Sequence, residues 1–415
     1  MMMREWVFRA LTDVIRKKTY SNLYLKDHLQ EVDEKDRALA ANIFYGTLQN
    51  YDLCQYDWKR FTDDRVDPKT RILLSMSCYQ LLFLDKVPDY AIINDAVKIA
   101  ARMLPGQKNL VNAVLRKCAN TPLTYPNDPI KALALKTSVP EWLIRLWIKQ
   151  YSAQQAFKFA QASLAALPVV VRINPLKYSV EEAMKCPRLK ELPNGLSKRS
   201  GLFEYRGTQI GTDWLYKEGK ISVQDPGSFE IAQMVDIKPG MSVLDLCAAP
   251  GTKTMAMAEM AGNQADITAL DLHEHRVKLI EQDARRLGLD HITARVQDAS
   301  QVSEPVKQYD AVLCDVPCSG YGILSRKTDL KLRLNPEDID SLLPIQKELL
   351  EAGAEQTKPG GVLVYSTCTL DTKENEKQVE KFLAAHPDFT KEEEKTIEPS
   401  KQNGGFYLCK MKRQA

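Results

Sequence analysis

An α/β fold is predicted for residues 222–415: a mostly parallel sheet wrapped by helices. Three features predict it. From about Ser222 short apolar runs alternate with helical segments of ordinary length, one run turns directly into a small-residue loop and a helix start, and two later runs end in cysteine-bearing turns. Ahead of this part, residues 1–125 read as an all-α domain and residues 126–221 as linker helices with a small α+β module. A chain of 415 residues is too long for one compact core, so two or three domains are expected.

The helical reading rests on periodicity. Ile72, Met76, Tyr79 and Phe83 recur at helical spacing, as do Ile93, Ala96, Val97 and Ala100, then Val111, Val114, Leu115 and Cys118. The bundle should end near Asn120, because Pro122, Pro126 and Pro129 cannot continue a helix. A second helical region is expected over about Glu141 to Ala166. From Pro168 the texture changes, with Val169 to Ile173 as a buried strand and Gly195, Gly201, Gly207 and Gly211 punctuating short segments. In the last part the expected strands are Ser242–Leu246, Asp266–Leu272, Asp310–Cys314 and Val362–Tyr365, with a strand-like Ile292–Val296. Between the second and third of the four lies a helix bearing Val277, Ile280, Ala284 and Leu287, closed by Gly288.

Charge is unevenly spread. Residues 1–221 hold 34 Lys+Arg against 23 Asp+Glu, whereas the remainder holds 23 against 31, and the balances of +11 and −8 give the overall +3. A basic front joined to an acidic rear suits capture of a polyanion by one part and action by another. No run approaches the roughly 18 apolar residues that span a bilayer. Arg4, Glu5, Arg9 and Asp13 stand where a signal peptide would be apolar. A soluble cytoplasmic protein without a membrane partner is therefore expected. The nine cysteines show no paired CxxC spacing, so the sequence suggests neither a disulfide framework nor a metal site, and no oligomeric partner is indicated.

After the strand Val243–Leu246 come Cys247, Ala248, Ala249, Pro250, Gly251, Thr252, Lys253 and Thr254, followed by helical Met255 to Ala261. Small residues let the backbone approach a ligand, and a helix start presents unpaired N–H groups to it. Asp271, at the end of the next strand, is placed to accept ribose hydroxyls. This combination predicts a nucleotide site. A Walker loop is excluded because Thr252 separates Gly251 from Lys253, and a dinucleotide fingerprint is absent.

Two further strand ends carry thiols. One runs into Asp315-Val316-Pro317-Cys318-Ser319-Gly320 and the other into Ser366-Thr367-Cys368-Thr369. In an open parallel sheet both turns share a rim with the nucleotide loop. An exocyclic-amine methyltransferase would carry Asp/Asn-Pro-Pro-aromatic at the first of these turns, where this chain has Cys318. Either thiol could be a nucleophile on this reading, while Cys314 and Cys409 read as small buried hydrophobes.

Taken with Val223-Gln224-Asp225-Pro226, Asp298 and Gly404-Gly405-Phe406-Tyr407, these motifs resemble the bacterial small-subunit (16S) ribosomal RNA cytosine-5 methyltransferases of the B type, within the RNA 5-methylcytosine enzymes. The helical front is similar to the NusB-like RNA-binding domain of that family, through Asp36 to Leu39, Tyr79 to Leu82, Val87-Pro88 and Leu110 to Arg116. By its place in the chain, the middle module corresponds to the family's small RRM-like domain.

The resemblance implies a Rossmann-like catalytic domain that binds S-adenosyl-L-methionine through Cys247 to Lys253, Asp271, Asp298 and Asp315. It implies Cys368 as nucleophile, Cys318 as the residue assisting release, and ribosomal RNA as partner. The chemistry accounts for a thiol: carbon 5 of cytosine is a poor nucleophile until a thiolate adds at carbon 6. An acid at ring nitrogen 3, the role expected of Asp315, would take up the developing charge. Transfer RNA as substrate, or a non-catalytic assembly factor that has kept the fold, are the competing readings.

The chain departs from the family pattern in three places. Thr252 replaces Gly, Val316 replaces Ala, and Lys327-Thr328-Asp329 replaces His-Pro-Asp in a substrate-facing loop. A positive φ at Thr252 would cost about 1 kcal/mol.

Overall fold

Helical periodicity in the front of the chain becomes packing in the computed structural model, which describes residues 2–17, 19–62, 65–302 and 306–415. Three helices matter below: α1 (Tyr51–Lys59), α2 (Pro68–Phe83) and α3 (Lys108–Asn120). In α2, Asp67 caps the amino end by accepting from the N–H groups of Lys69 and Thr70, with Pro68 in the first turn. Ile72, Met76 and Tyr79 are buried on it, while Phe83 stays exposed. The buried residues of α3 are Val111, Val114, Leu115 and Cys118, as the spacing predicts. Trp58 is fully buried and donates its indole N–H to Ser75 Oγ at 3.0 Å, which keeps a polar atom satisfied inside the helical core.

Contacts divide the chain into one unit of Met1–Leu164 with Leu324–Pro336 and another of Ala165–Ile323 with Glu337–Ala415. This differs from the expected division at residue 125. The proline segment turns the chain back rather than away. Asp128 caps the helix Pro129–Thr137, Ser138 Oγ accepts from Leu53 N at 3.3 Å, and Gln49 Nε2 donates to Ser163 O at 3.0 Å. The expected helical stretch over 141–166 is two helices, Glu141–Gln150 and Ala153–Ala162, the second capped by Ser152.

Residues 327–329, read from the sequence as a substrate-facing loop, lie within the segment counted with the helical unit. There Asp329 is buried, accepts from Ser21 Oγ at 2.5 Å and pairs with Arg333 at 3.1 Å. Lys331 donates to Thr137 O at 2.7 Å and Gln49 O at 3.2 Å.

The second unit holds both sheets. The small one consists of β1 (Val170–Ile173), β2 (Leu189–Glu191), β3 (Leu202–Tyr205) and β4 (Ile221–Val223), all antiparallel, in the order β2-β3-β1-β4. The large one consists of β5 (Ser242–Asp245), β6 (Asp266–Asp271), β7 (Ile292–Val296), β8 (Tyr309–Asp315), β9 (Thr357–Thr367), β10 (Phe389–Ile397) and β11 (Phe406–Arg413). Its order is β10-β11-β9-β8-β5-β6-β7, with β9, β8, β5, β6 and β7 parallel and β11 and β10 added antiparallel. Chain direction across the sheet reverses between β5 and β8, and ligands bind beyond the strand ends at such a switch point.

Three further helices flank this sheet: α4 (Thr252–Met260), α5 (Glu274–Leu287) and α6 (Asp338–Glu355). On α5 the buried residues are Val277, Ile280, Ala284 and Leu287, and Gly288 closes the helix with φ 74°. Strands β10 and β11 lie outside the expected set. β10 reads Thr-Lys-Glu-Glu-Glu-Lys-Thr between its two buried ends, and such a charged edge strand has no apolar alternation to betray it.

Candidate active site

The loop after β5 opens α4 with Gly251 at φ 101°, and no side chain caps this helix start. The left-handed position therefore falls on Gly251, and Thr252 is an ordinary first helical residue, so the strain expected at Thr252 does not arise. Uncapped N–H groups at a helix start suit a polar or anionic ligand group. The Cys247 thiol packs against the core that contains Leu244 and Leu246, with its pKa pushed up by burial and by the carboxylates of Asp245, Asp315 and Asp271. Asp245 is itself buried, accepts from Thr254 Oγ1 at 2.7 Å and keeps Oδ1 without a partner. Burial raises its pKa to about 7, against the opposing hydrogen bond from Thr254.

Asp271 ends β6 as a buried carboxylate. It accepts from His273 N at 3.0 Å and pairs with Arg276 at 3.2 Å, and Arg276 also donates to Ala249 O at 3.0 Å. Arg276 thus ties the strand end to the loop. Asp298 follows β7, is exposed, and accepts from Ser300 N and Oγ at 3.0 and 2.8 Å.

The turns after β8 and β9 meet. Cys318 Sγ and Cys368 Sγ are 3.2 Å apart, and Cys368 N donates to Cys318 Sγ at 3.2 Å. Both residues are half-buried, and Cys368 packs against the core cluster that contains Ala248, together with Ala249. The hydrogen bond to Cys368, reinforced by burial, pushes the Cys318 thiol up. Cys314, by contrast, lies fully inside the sheet core and is simply a buried hydrophobe.

Lys253 and Asp315 bridge the loop and the thiols. Lys253 Nζ lies 2.6 Å from Asp315 Oδ2, and Asp315 Oδ1 accepts from Ser366 Oγ at 2.7 Å. Burial pulls the Lys253 ammonium down, but Asp315, with Asp245 and Cys368 behind it, outweighs burial and raises it. Beside the thiols there is therefore a Lys253–Asp315 pair, where the sequence suggested a lone carboxyl.

Behind this pair lies a network that sequence reasoning missed. Glu374 is fully buried and accepts from Ser319 N at 3.0 Å, from Gln346 Nε2 of α6 at 2.8 Å and from Ser319 Oγ. Ser319 Oγ also meets Thr369 Oγ1 at 2.6 Å, and Asn375 Nδ2 donates to Thr369 O at 3.1 Å. The two cysteine turns are thus tied from behind by one set of hydrogen bonds.

A second missed group is Arg172 on β1. It bonds Glu259 at 2.7 and 3.0 Å, Thr252 O at 3.2 Å, and Gln224, all within the interior. Its charged side chain inside an otherwise apolar strand was the available signal, since a buried guanidinium demands such partners. The terminal glycines find their reason in close approach: Gly405 N donates to Gly322 O at 2.7 Å, and Gly322 N donates to Cys368 O at 3.1 Å.

Comparison with known proteins names this arrangement. Residues 232–412 match the family 16S rRNA methyltransferase RsmB/F, and residues 1–120 match the NusB family. A Bacillus subtilis (strain 168) protein named "Probable ribosomal RNA small subunit methyltransferase B" is 35% identical, over 99% of this chain and 98% of its own length. The chain belongs to the ribosomal RNA small subunit methyltransferase B family.

Among solved structures, PH0851 superposes with a TM-score of 0.84 at 25% identity over 99% of each chain. NSun6 from Pyrococcus horikoshii with SFG gives 0.57 at 18% identity over 66% of this chain and 98% of that one, a likeness of fold. In this member of the methyltransferase B family the loop after β5 and the two thiol turns therefore lie on a Rossmann-like methyltransferase domain, behind a NusB domain.

Proposed function

We propose that this protein transfers a methyl group from S-adenosyl-L-methionine to carbon 5 of a specific cytosine in small-subunit ribosomal RNA, in the cytoplasm, through a bond between Cys368 and the ring. The observation that carries this reading is the Cys318–Cys368 contact of 3.2 Å beside the Lys253–Asp315 pair at 2.6 Å. Cofactor binding is supported by the uncapped start of α4, by the buried carboxylate of Asp271 and by the unpartnered Oδ1 of Asp245. Cys247 to Lys253 would cradle the cofactor, with Asp271, Asp298 and Asp315 as its carboxylate contacts. When bound it supplies an electrophilic methyl group on sulfur.

The chain's own residues do the rest. Cys368 gives up its proton to solvent and its sulfur bonds to carbon 6, with Lys253 as a counter-charge to the thiolate. The Lys253–Asp315 pair hydrogen-bonds ring nitrogen 3 and lends it a proton as electron density arrives there. Carbon 5 takes the methyl group, leaving the demethylated thioether, and ring nitrogen 3 returns its proton to the pair; carbon 5 then loses its proton to water, and the carbon–sulfur bond breaks with its electrons on sulfur to free Cys368 as the thiolate. Cys318, in contact with the leaving sulfur, assists that release. The front of the chain, residues 1–221 with its balance of +11, captures structured RNA.

Bisulfite mapping of total RNA, with and without the gene, tests the reading. One 5-methylcytosine should vanish from small-subunit RNA. Loss from transfer RNA instead, or no loss at all, would refute it.

A further inference from the structure

Far from any paired spacing in sequence, two thiols and a carboxylate meet in the helical core. Asp57 and Cys54 lie one turn apart on α1, Cys78 lies on α2 and Cys118 on α3. A carboxylate oxygen of Asp57 and the sulfurs of Cys78 and Cys118 all fall within 4.8 Å of one another. The two sulfurs are 3.8 Å apart. Two thiolates bound to one tetrahedral zinc ion at about 2.3 Å each would be separated by about 3.8 Å, whereas a disulfide would bring them to about 2 Å.

Asp57 supplies a second observation. It is 1% exposed and its Oδ2 has no hydrogen-bond partner, an expensive state for a buried carboxylate oxygen. The other oxygen pairs with Arg60, whose guanidinium also donates to Asp57 O at 3.2 Å and Pro122 O at 2.9 Å. The carboxylate is therefore held in place from one side and left open on the other.

We propose that Asp57, Cys78 and Cys118 bind a thiophilic divalent ion of the zinc type, stapling α1, α2 and α3. Charge balance favours it. A divalent cation, two thiolates, the Asp57 carboxylate and the Arg60 guanidinium sum to zero, the condition a buried ionic site requires. Binding displaces the two thiol protons to solvent, and no electron is transferred. Arg60, bonded to a ligand rather than to the ion, plays the orienting part that outer partners play in metal sites.

The test uses the full chain, reconstituted with Zn2+ or Co2+. One ion per chain should survive gel filtration. X-ray absorption of the zinc protein should show at least two sulfur neighbours, and the cobalt protein should show a thiolate charge-transfer band. That band should persist in C318S/C368S and vanish in C78S/C118S. Arg60→Met, which keeps every ligand, should weaken Zn2+ binding roughly 10- to 100-fold. If C78S/C118S does not fold, X-ray absorption of the unaltered protein decides alone. An absorption spectrum without sulfur neighbours, a band that survives C78S/C118S, or an intact mass short by two hydrogens from a Cys78–Cys118 disulfide would each overturn the proposal.

Discussion

Each unit of this molecule buries a lysine and gathers thiols, with opposite electrostatic outcomes. In the sheet unit Lys253 lies 2.6 Å from Asp315 and is held as an ammonium. In the helical unit Lys331 is 5% exposed and bonds two backbone carbonyls, with Asp52 as its compensating charge, and burial pulls it down to about 7. The thiols follow suit. Cys318 and Cys368 are half-buried at a charged rim, whereas Cys54 and Cys78 are fully buried on helices. Residue type says little about reactivity here; the partner supplied by the fold decides it.

The sharpest way to break this comparison is to remove the thiol proposed as nucleophile. Cys368→Ala should lower methyl transfer by at least about 10⁴-fold with folding unchanged. Cys318→Ala should leave a protein–RNA adduct that survives a denaturing gel. Methylation lost without an adduct would take the release role from Cys318.

Next is the ammonium. Lys253→Met should cost roughly 10²- to 10⁴-fold in turnover, the span usual for general acid and electrostatic groups. A single-turnover rate within a factor of three of the parent would show that the pair is structural.

Alkylation compares the two sets of thiols directly. Under native conditions iodoacetamide should modify Cys368 or Cys318 faster than Cys54 and Cys78 by at least about a hundredfold, because reaching the latter requires opening the helical core. Peptide mapping by mass spectrometry reads the ratio, and equal rates would erase the distinction.

For Lys331 the sign follows from linkage. Its folded pKa is about 7 and its ordinary value 10.5. Between these values the unfolded chain binds a proton that the folded one lacks, so this group's contribution favours folding more as pH rises from about 7 toward 10. The urea midpoint of Lys331→Met should therefore rise less than that of the parent between pH 7 and 9. Parallel slopes would mean that Lys331 is charged when folded.

The smallest effect concerns Thr252. Because Gly251 takes the left-handed angle, Thr252→Gly should relieve no strain, and calorimetry with S-adenosyl-L-methionine should find affinity within about twofold. A large gain in affinity would mean that the loop rearranges on binding.

Local signals made much of this legible. Val277, Ile280, Ala284 and Leu287 announced their helix by spacing, and the run of small residues after β5 announced a tight turn into a helix start. Glu374, Gln346 and Arg276 had no such signal, because each works only through groups distant in sequence that the fold brings to it. The metal-type cluster was hidden for the same reason, since Cys78 and Cys118 stand 40 residues apart on separate helices. The contact-defined helical unit runs on past 125, to Leu164 and over Leu324–Pro336, because prolines mark where a helix stops, which does not reveal where the chain goes next.

One feature of the chain path bears on any attempt to divide the protein. The backbone passes from the helical unit to the sheet unit after Leu164, returns for Leu324–Pro336, and leaves again at Glu337. Cutting after residue 164 would therefore yield a catalytic fragment whose excursion had lost its bed, exposing Leu332 and the amine of Lys331 immediately downstream of the Cys318 turn. Fragment studies should instead replace 324–336 with a short polar linker, or supply the two pieces together and ask whether they reassociate.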